Sequence, residues 1–377
     1  MKRNILYIID NLEFGGGETV FSQLINRLRK DKYNITVACL PTGTFIEMIE
    51  GSGVQIKSVD MRNRFNIKVI MQLANLMKRG KISIVHSLGA RADFFARMAA
   101  KLAGGPVVVS TVIMPVEGFD VSPLRKKVYS ILSRFSERYV DLFIVDSEAT
   151  KKILINRHRI PTDKVVRIYN GIELKAYQPD NRGEFINKIR KEYGIDEGVF
   201  LIGAVGRMVW QKGFEHLIEA IPEVSKEYPE ARFLLVGEGS LKNELKVKSK
   251  RLKIEDKVVF TGFRKDLKEV LSTIDLLIIP SLRESFPIIT LDAMAMAKPI
   301  IATRIDGIIE QITDGENGIL IPPGDPSSLA KAIMIAINNK EHYRNLGLMA
   351  RKRVGESFSL EKMVIETEKV YQSLLPA

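Results

Sequence analysis

The residues best suited to chemistry in this 377-residue chain gather just past short apolar runs, most densely in its second half. Arg207 and Lys212 bracket the loop Arg207-Met208-Val209-Trp210-Gln211-Lys212-Gly213, between the apolar run 199–205 and a helical pattern starting at Phe214. Two cations at a strand end beside a helix start suit a diphosphate. Arginine chelates two oxygens, and lysine adds a mobile point charge. When a bond to such a group breaks, negative charge grows on the leaving oxygen, and cations aimed there stabilise the transition state. A pair of solvated surface cations is the plain alternative for the same residues.

A second constellation fills residues 281–297. It runs Glu284-Ser285-Phe286-Pro287-Ile288-Ile289 and then, past Thr290-Leu291, places Asp292 in an almost continuous apolar stretch. Pro287 fits a first helical position with Ser285 as its cap. An aspartate inside an apolar helix is unfavourable, and a buried carboxylate must find hydrogen-bond donors. Two ribose hydroxyls would satisfy it, and an internal salt bridge would do so equally. Glycine clusters add to the set: Gly15-Gly16-Gly17, Gly237-Glu238-Gly239 and Gly262-Phe263-Arg264. Gly16 and Gly17 let a ligand approach the backbone and open into a helix whose N–H groups attract anions. This is not the dinucleotide fingerprint, because the glycines are contiguous and Val20 holds the last position. A flexible turn is the alternative there.

The elements that must position these residues alternate throughout. Strands are expected at 5–9, 35–40, 82–86, 107–111, 142–145 and 165–169, and again at 199–205, 232–236, 258–260, 276–280, 299–303 and 318–321. Helical periodicity lies between them, as in Ile67, Ile70, Met71 and Ala74. This is the pattern of parallel sheets covered on both faces, and 377 residues exceed what one core accommodates. We expect an N-terminal domain over 1–172, rejoined by a C-terminal helix at 359–377, and a second domain over 173–358, with the polar stretch 173–183 as linker. In open α/β sheets ligands bind beyond the carboxyl ends of the strands. His86 is read as ending one strand, and each cluster above follows another.

Composition narrows the classes. Apolar residues make up 45% and charged residues 27%, ordinary globular usage. No apolar run is long enough to span a bilayer, and Arg91, Arg97 and Lys101 interrupt the most hydrophobic stretch of the first half. The N-terminal residues read as a strand rather than a signal peptide. The single cysteine, Cys39, allows no intrachain disulfide and reads as a buried core residue, which suits a reducing cytoplasm. Residues 1–172 hold 27 Lys and Arg against 15 Asp and Glu, whereas residues 173–377 hold 30 of each. The net +12 therefore lies wholly in the first half, which suits an anionic partner there. No zinc-finger or RNA-binding signature accompanies it, so nucleic acid is not expected. Within residues 123–138, Leu124, Val128, Ile131, Leu132 and Phe135 recur at helical spacing beside Arg125, Lys126, Lys127, Arg134 and Arg138. Such a helix lies on a membrane headgroup layer or packs its stripe on its own sheet.

The sequence resembles glycosyltransferase family 4, retaining enzymes of the GT-B fold. Glu284-Ser285-Phe286-Pro287 followed by Asp292-Ala293-Met294-Ala295-Met296-Ala297-Lys298-Pro299 is similar to that family's paired-glutamate run. Gly15-Gly16-Gly17-Glu18, Tyr169-Asn170-Gly171-Ile172, Gly206-Arg207 with Lys212-Gly213, Gly237-Glu238-Gly239, Phe260-Thr261-Gly262-Phe263-Arg264 and Asn317-Gly318-Ile319-Leu320-Ile321-Pro322 extend the likeness over nearly the whole chain. The resemblance implies two doubly wound Rossmann-like domains facing across a cleft. It implies Glu284 on the sugar hydroxyls of a nucleotide-sugar, Asp292 on its ribose, and Arg207 and Lys212 on its diphosphate. Backbone near Phe263 and Arg264 would frame the base, N–H groups around residues 286–289 would meet phosphate and sugar, and Gly16, Gly17, Gly239, Ser285 and Pro287 are assigned to substrate binding as well. His86 and Asn170 are assigned to the acceptor side. Three departures stand out: Asp292 replaces a glutamate, Ser285 and Pro287 replace glycines, and Ile113 occupies the place of a histidine common in the family.

The expected activity is retaining transfer of a hexose from a nucleotide-sugar to a saccharide or lipid-linked acceptor in cell-envelope or exopolysaccharide synthesis. No cofactor and no metal are expected, since there is no Asp-x-Asp pair. The expected location is cytoplasmic, with peripheral contact at the inner face of an anionic membrane. An epimerase or hydrolase of the same fold and a non-catalytic nucleotide-sugar-binding protein are the alternatives.

Overall fold

The computed structural model describes residues 2–11, 15–63, 66–114, 123–177 and 182–375. It forms two compact units. Unit 1 comprises Met1–Gly171 with Leu360–Ala377, and unit 2 comprises Ile172–Ser359. Of the stretch read as linker, residues 178–181 lie outside the described ones.

Unit 1 runs β1 (Arg3–Ile9), α1 (Gly16–Arg27), β2 (Tyr33–Cys39), α2 (Thr44–Ile49), β3 (Gln55–Ser58), α3 (Ile67–Arg79), β4 (Ile84–Leu88), α4 (Ala90–Ala103), β5 (Val107–Val112), α5 (Pro123–Glu137), β6 (Leu142–Val145), α6 (Glu148–Asn156) and β7 (Val165–Arg167). Its strands pair in the order β3-β2-β1-β4-β5-β6-β7, all parallel. Ile5 to Ile9 in β1 are all buried, as both-face coverage of a central parallel strand requires. β3 was not expected from the sequence. Its run Gln55-Ile56-Lys57-Ser58 has one apolar residue and lies at the sheet edge, where polar side chains discourage further pairing. α3 is present, but it buries Val69, Leu73, Ala74 and Met77 and leaves Ile67 and Met71 exposed. The apolar set read from the sequence lay about one residue round the helix from the buried face.

Unit 2 runs α7 (Arg182–Glu192), β8 (Leu201–Val205), α8 (Phe214–Glu227), β9 (Arg232–Val236), α9 (Lys242–Arg251), β10 (Val258–Gly262), α10 (Leu267–Thr273), β11 (Leu276–Ile279), α11 (Ile288–Ala295), β12 (Ile300–Thr303), α12 (Asp306–Gln311), β13 (Ile319–Ile321), α13 (Pro326–Asn338) and α14 (Lys340–Ser357). Its parallel sheet has the order β10-β9-β8-β11-β12-β13. The core packs Leu217, Ile221 and Val224 of α8 and Leu329 and Ile333 of α13 against one sheet face. The last helix, α15 (Leu360–Leu374), belongs to unit 1. Its Glu368 accepts from Arg29 N–H at 3.2 Å and Nε at 2.9 Å, and its Tyr371 hydroxyl lies 2.5 Å from that of Tyr7. No helix among the described residues is long and apolar enough to cross a membrane.

Candidate functional site

In unit 2 the strand order reverses between β8 and β11, the position at which open α/β sheets form a ligand crevice. The loop after β8 and the loop after β11 are joined there by their backbones. Gln211 O accepts from Leu282 N at 2.8 Å and Arg283 N at 3.2 Å. Gly213, at φ +63°, sits so close to the end of β11 that a Cβ would lie 2.0 Å from Pro280 O. Only glycine permits that approach. It brings Lys212 Nζ into an ion pair with the Glu284 carboxylate, whose Oε1 also accepts from Ser281 Oγ at 2.9 Å. Glu284 is thus held by two donors on its own edge. Arg207 is exposed on the same loop. The helices beginning at this edge, α8 and α11, have no side-chain hydrogen bond at their N-caps; α11 has no acid in its first turn, and the one in α8, Glu215, is paired with Lys248.

The neighbouring loops are tied to this one in strand order. Gly206 N donates to Val236 O at 2.9 Å, Met208 N to Glu238 O at 2.8 Å, and Gly237 N to Gly262 O at 2.9 Å. Gly237 has φ +137°, and a Cβ there would meet Gly206 O at 1.9 Å, so the two loops stack backbone on backbone. Gly239 likewise lies against the Met208 backbone. Phe263, after β10, exposes its ring. The Arg264 guanidinium is turned away into Asp266, Glu192 and the Tyr193 hydroxyl, which hold it firmly charged. Its side chain is committed to Asp266 and to the end of α7.

The start of α11 differs from the sequence reading. Pro287 is the N-cap, with φ −66° and ψ 127°, and the helix begins at Ile288. Ser285 lies two residues before that cap and does not cap the helix. The Pro287 carbonyl accepts from Gln311 Nε2 at 3.0 Å. Asp292 is buried, and its Oδ1 accepts from the Tyr177 hydroxyl at 2.6 Å. Burial raises its carboxyl pKa to about 6, against the opposing pull of the Tyr177 hydrogen bond and of Lys268. Lys268 Nζ sits 4.6 Å from the Tyr177 ring centroid and donates to Ala176 O at 3.0 Å.

In unit 1 the strand order reverses between β1 and β4. Gly16 and Gly17 are the first two residues of α1. The helix start is not left open to an anion, because Glu18 Oε2 accepts from Gly15 N at 2.9 Å. A Cβ on Gly17 would lie 3.0 Å from Ile113 Cδ1 and 3.6 Å from Leu88 Cδ2, so Ile113 faces the glycine turn as an apolar contact. Asp10, just past β1, pairs with Arg91, just past Leu88, at 2.6 Å. His86 does not end a strand. It lies within β4, fully buried, with Nδ1 2.6 Å from Tyr371 Oη and Nε2 2.7 Å from Thr111 Oγ1. The sequence reading ended the strand at this histidine, whereas the imidazole is paired inside the sheet and β4 continues to Leu88. Burial lowers its pKa to about 3, so it is neutral near pH 7. Asn170 is also buried, with Nδ2 3.4 Å from Asp146 Oδ2. Cys39 is buried in β2, with its thiol pKa pushed up to about 12.

Four residues stand out that motif reading did not select. Ser281 orients Glu284, Tyr177 satisfies Asp292, and Asp10 and Arg91 span the reversal point of unit 1. Ser281 was within reach, since a hydroxyl three residues before a carboxylate at a strand end is a local signal. Tyr177 and the Asp10–Arg91 pair are long-range contacts that no local pattern announces.

Comparison with known proteins covers both units. Residues 14–176 match the model of Glycosyltransferase Family 4, and residues 185–353 match that of Glycosyl transferases group 1. An Escherichia coli UDP-Gal:alpha-D-GlcNAc-diphosphoundecaprenol alpha-1,3-galactosyltransferase is 26% identical over 371 residues, covering 94% of this chain and 93% of the relative. The N-acetyl-alpha-D-glucosaminyl L-malate synthase of Bacillus anthracis is 28% identical over 315 residues, covering 82% and 80%. Among solved structures, Anabaena Alr3699/HepE in complex with UDP-glucose superposes with a TM-score of 0.87 at 21% identity, over 98% of this chain and 99% of that one.

Proposed function

The chain belongs to glycosyltransferase family 4 and is a glycosyltransferase of the GT-B fold; from that premise we propose that it moves a hexose, with retention, from a UDP-sugar to a lipid-diphosphate-linked saccharide of the cell envelope. The observation that carries the donor half is the Lys212–Glu284 pair at the β8–β11 reversal point, flanked by two helix starts without side-chain caps. Arg207 and Lys212 take the diphosphate, and Glu284, oriented by Ser281, takes the sugar hydroxyls. The bond from anomeric carbon to phosphate oxygen breaks, and its electron pair leaves with the nucleoside diphosphate. The acceptor oxygen bonds to the same face of that carbon and gives its proton to the departing phosphate oxygen. Lys212, Arg207 and the helix starts stabilise the charge that develops there. Asp292 with Tyr177 holds the ribose through the remaining carboxylate oxygen. The Escherichia coli relative's name supports both a UDP-sugar and a diphosphate-linked lipid acceptor, and HepE's bound UDP-glucose supports the donor.

Incubation with UDP-hexoses and a diphosphate-linked acceptor, followed by NMR of the product, tests the reading. An axial donor should give an axial glycoside, with turnover persisting in excess chelator. Release of free sugar alone would overturn transfer. Loss of turnover in chelator, restored by Mg²⁺, would overturn the metal-free mechanism.

A further inference from the structure

Helix α5 carries its large apolar residues outward. Leu124 is 74% exposed, Ile131 59%, Phe135 47% and Val128 37%. At 3.6 residues per turn these four fall within about 60° of arc. Lys127 and Arg134 are exposed as well and fall within about 20° along one side of that stripe, and exposed Arg138 follows directly after the helix. Arg138 lies over the Phe135 ring, with Cζ 3.8 Å from its centroid. Of the residues counted in the basic segment, the side chains of Arg125 and Lys126 lie outside the described ones.

The outward orientation is fixed from behind. Ser136 and Glu137 are buried on the opposite side. Ser136 Oγ accepts from Arg97 NH1 at 3.2 Å, and Glu137 Oε1 lies 2.9 Å from both Ser133 Oγ and His158 Nδ1. Rolling α5 to bury the stripe would break this network and leave buried polar groups unpaired. Glu137 is also the helix's one carboxylate, so its withdrawal leaves a face with cations and no acid.

We infer that this face of α5 docks unit 1 on an anionic phospholipid surface, the four apolar side chains entering the headgroup boundary and Lys127, Arg134 and Arg138 meeting the lipid phosphates. The apolar stripe with cations along its flank is the composition of a helix lying in that interface. A second copy is the poorer occupant, since a two-fold contact through this face would bring like charges together. The charge of residues 1–172, 27 basic against 15 acidic, extends the attraction beyond the helix. The inference rests on the reading of a lipid-linked acceptor, which would be met on such a surface.

Co-sedimentation of the full chain with vesicles containing phosphatidylglycerol, and with neutral phosphatidylcholine vesicles, tests it at low and high salt. Binding should favour the anionic vesicles and weaken as salt is raised. Lys127→Gln with Arg134→Gln should lower the partition coefficient about 25-fold, at about fivefold per cation. Leu124→Gln with Ile131→Gln should lower it at least about tenfold, through the loss of inserted apolar area. All variants should turn over a water-soluble acceptor at the wild-type rate. Loss of that turnover in the wild type would count against the enzymatic reading rather than the docking. Equal binding to both vesicle types, no binding, or unchanged binding by both double variants would overturn the docking. So would a wild-type dimer that Leu124→Gln with Ile131→Gln converts to monomer.

Discussion

At the reversal point of unit 1, the carboxylate leaves the first strand and the cation follows the strand across from it: Asp10 after β1 and Arg91 after β4. At the reversal point of unit 2 the polarity is inverted, with Lys212 after β8 and Glu284 after β11. The surroundings differ in the same sense. In unit 1 the adjoining helix start receives Glu18 from its own first turn, and Ile113 and Leu88 press on Gly17. In unit 2 the adjoining helices have no side-chain cap, and a second cation, Arg207, stands on the loop. Two similar sheets therefore present different chemistry at equivalent places. One sets two carboxylates, Asp10 and Glu18, beside one cation, Arg91, and suits uncharged hydroxyls, whereas the other sets two cations, Arg207 and Lys212, beside one carboxylate, Glu284, and suits an anion.

The largest effect that would break this contrast is at Lys212. Lys212→Ala should lower kcat about 100-fold or more, because the cation acts on charge that appears only in the transition state. Arg91→Ala removes the cation of the partly exposed pair in unit 1 and should cost about 1 kcal/mol of stability, with kcat falling less than about tenfold. Steady-state kinetics and thermal unfolding of the two variants decide this. Equal losses of kcat would mean that the two pairs do the same work.

Asp292 sharpens the contrast through stability. Its folded pKa is about 6 against an ordinary value of 3.8, so the fold favours the protonated form. Stability from this group is fully present below pH 3.8 and is lost as pH rises through about 6. The cost near pH 7 is on the order of 3 kcal/mol. Asp292→Asn should therefore melt higher than the wild type at pH 7 and similarly at pH 4, while its donor KM rises. A variant that is less stable at pH 7 would make Asp292 a structural carboxylate.

Much of this arrangement was legible in the chain, for identifiable reasons. Central strands such as β1 and β8 are uninterrupted apolar runs because both their faces are covered, and the strand-end glycines and charges are local features. What escaped was set by tertiary partners. β3 is polar because it is an edge, and His86 lies inside β4 because Tyr371, hundreds of residues away, satisfies it. Asp292 announced itself as an unfavourable residue, but its partner Tyr177 did not. The stripe of α5 was legible as a stripe, whereas its outward direction depends on Ser136 and Glu137, which the spacing of apolar residues cannot register.

The buried polar line of unit 1 gives a smaller effect. Tyr371→Phe removes the hydroxyl that lies against both Tyr7 and His86, and each partner left unpaired costs about 1–3 kcal/mol. Thermal unfolding should show that loss with donor KM unchanged. The His86 pKa, lowered from 6.5 to about 3, adds a pH signature. Its contribution to stability is full above pH 6.5 and falls away as pH drops towards 3. A wild-type stability curve flat across that window would contradict a neutral buried imidazole.

The smallest effect should come from Gly17, and it separates packing from ligand approach. Within the first turn of α1, alanine gains up to about 1 kcal/mol of helix propensity over glycine. The added Cβ would sit 3.0 Å from Ile113 Cδ1, the flexible end of a side chain that can yield by a few tenths of an ångström. The two effects oppose each other, so Gly17→Ala should leave the melting temperature nearly unchanged. Shortening the neighbour in Gly17→Ala with Ile113→Val should make room and recover the propensity gain. If the glycine serves only helix and sheet packing, acceptor KM will be wild type in both variants. If instead a ligand must approach the backbone there, acceptor KM will rise in both, because the methyl group remains whatever Ile113 does. A rise in acceptor KM at unchanged stability would thus place a ligand against the unit 1 turn. Unchanged kinetics would leave Gly16 and Gly17 as a packing device and confine polar recognition at the reversal points to unit 2.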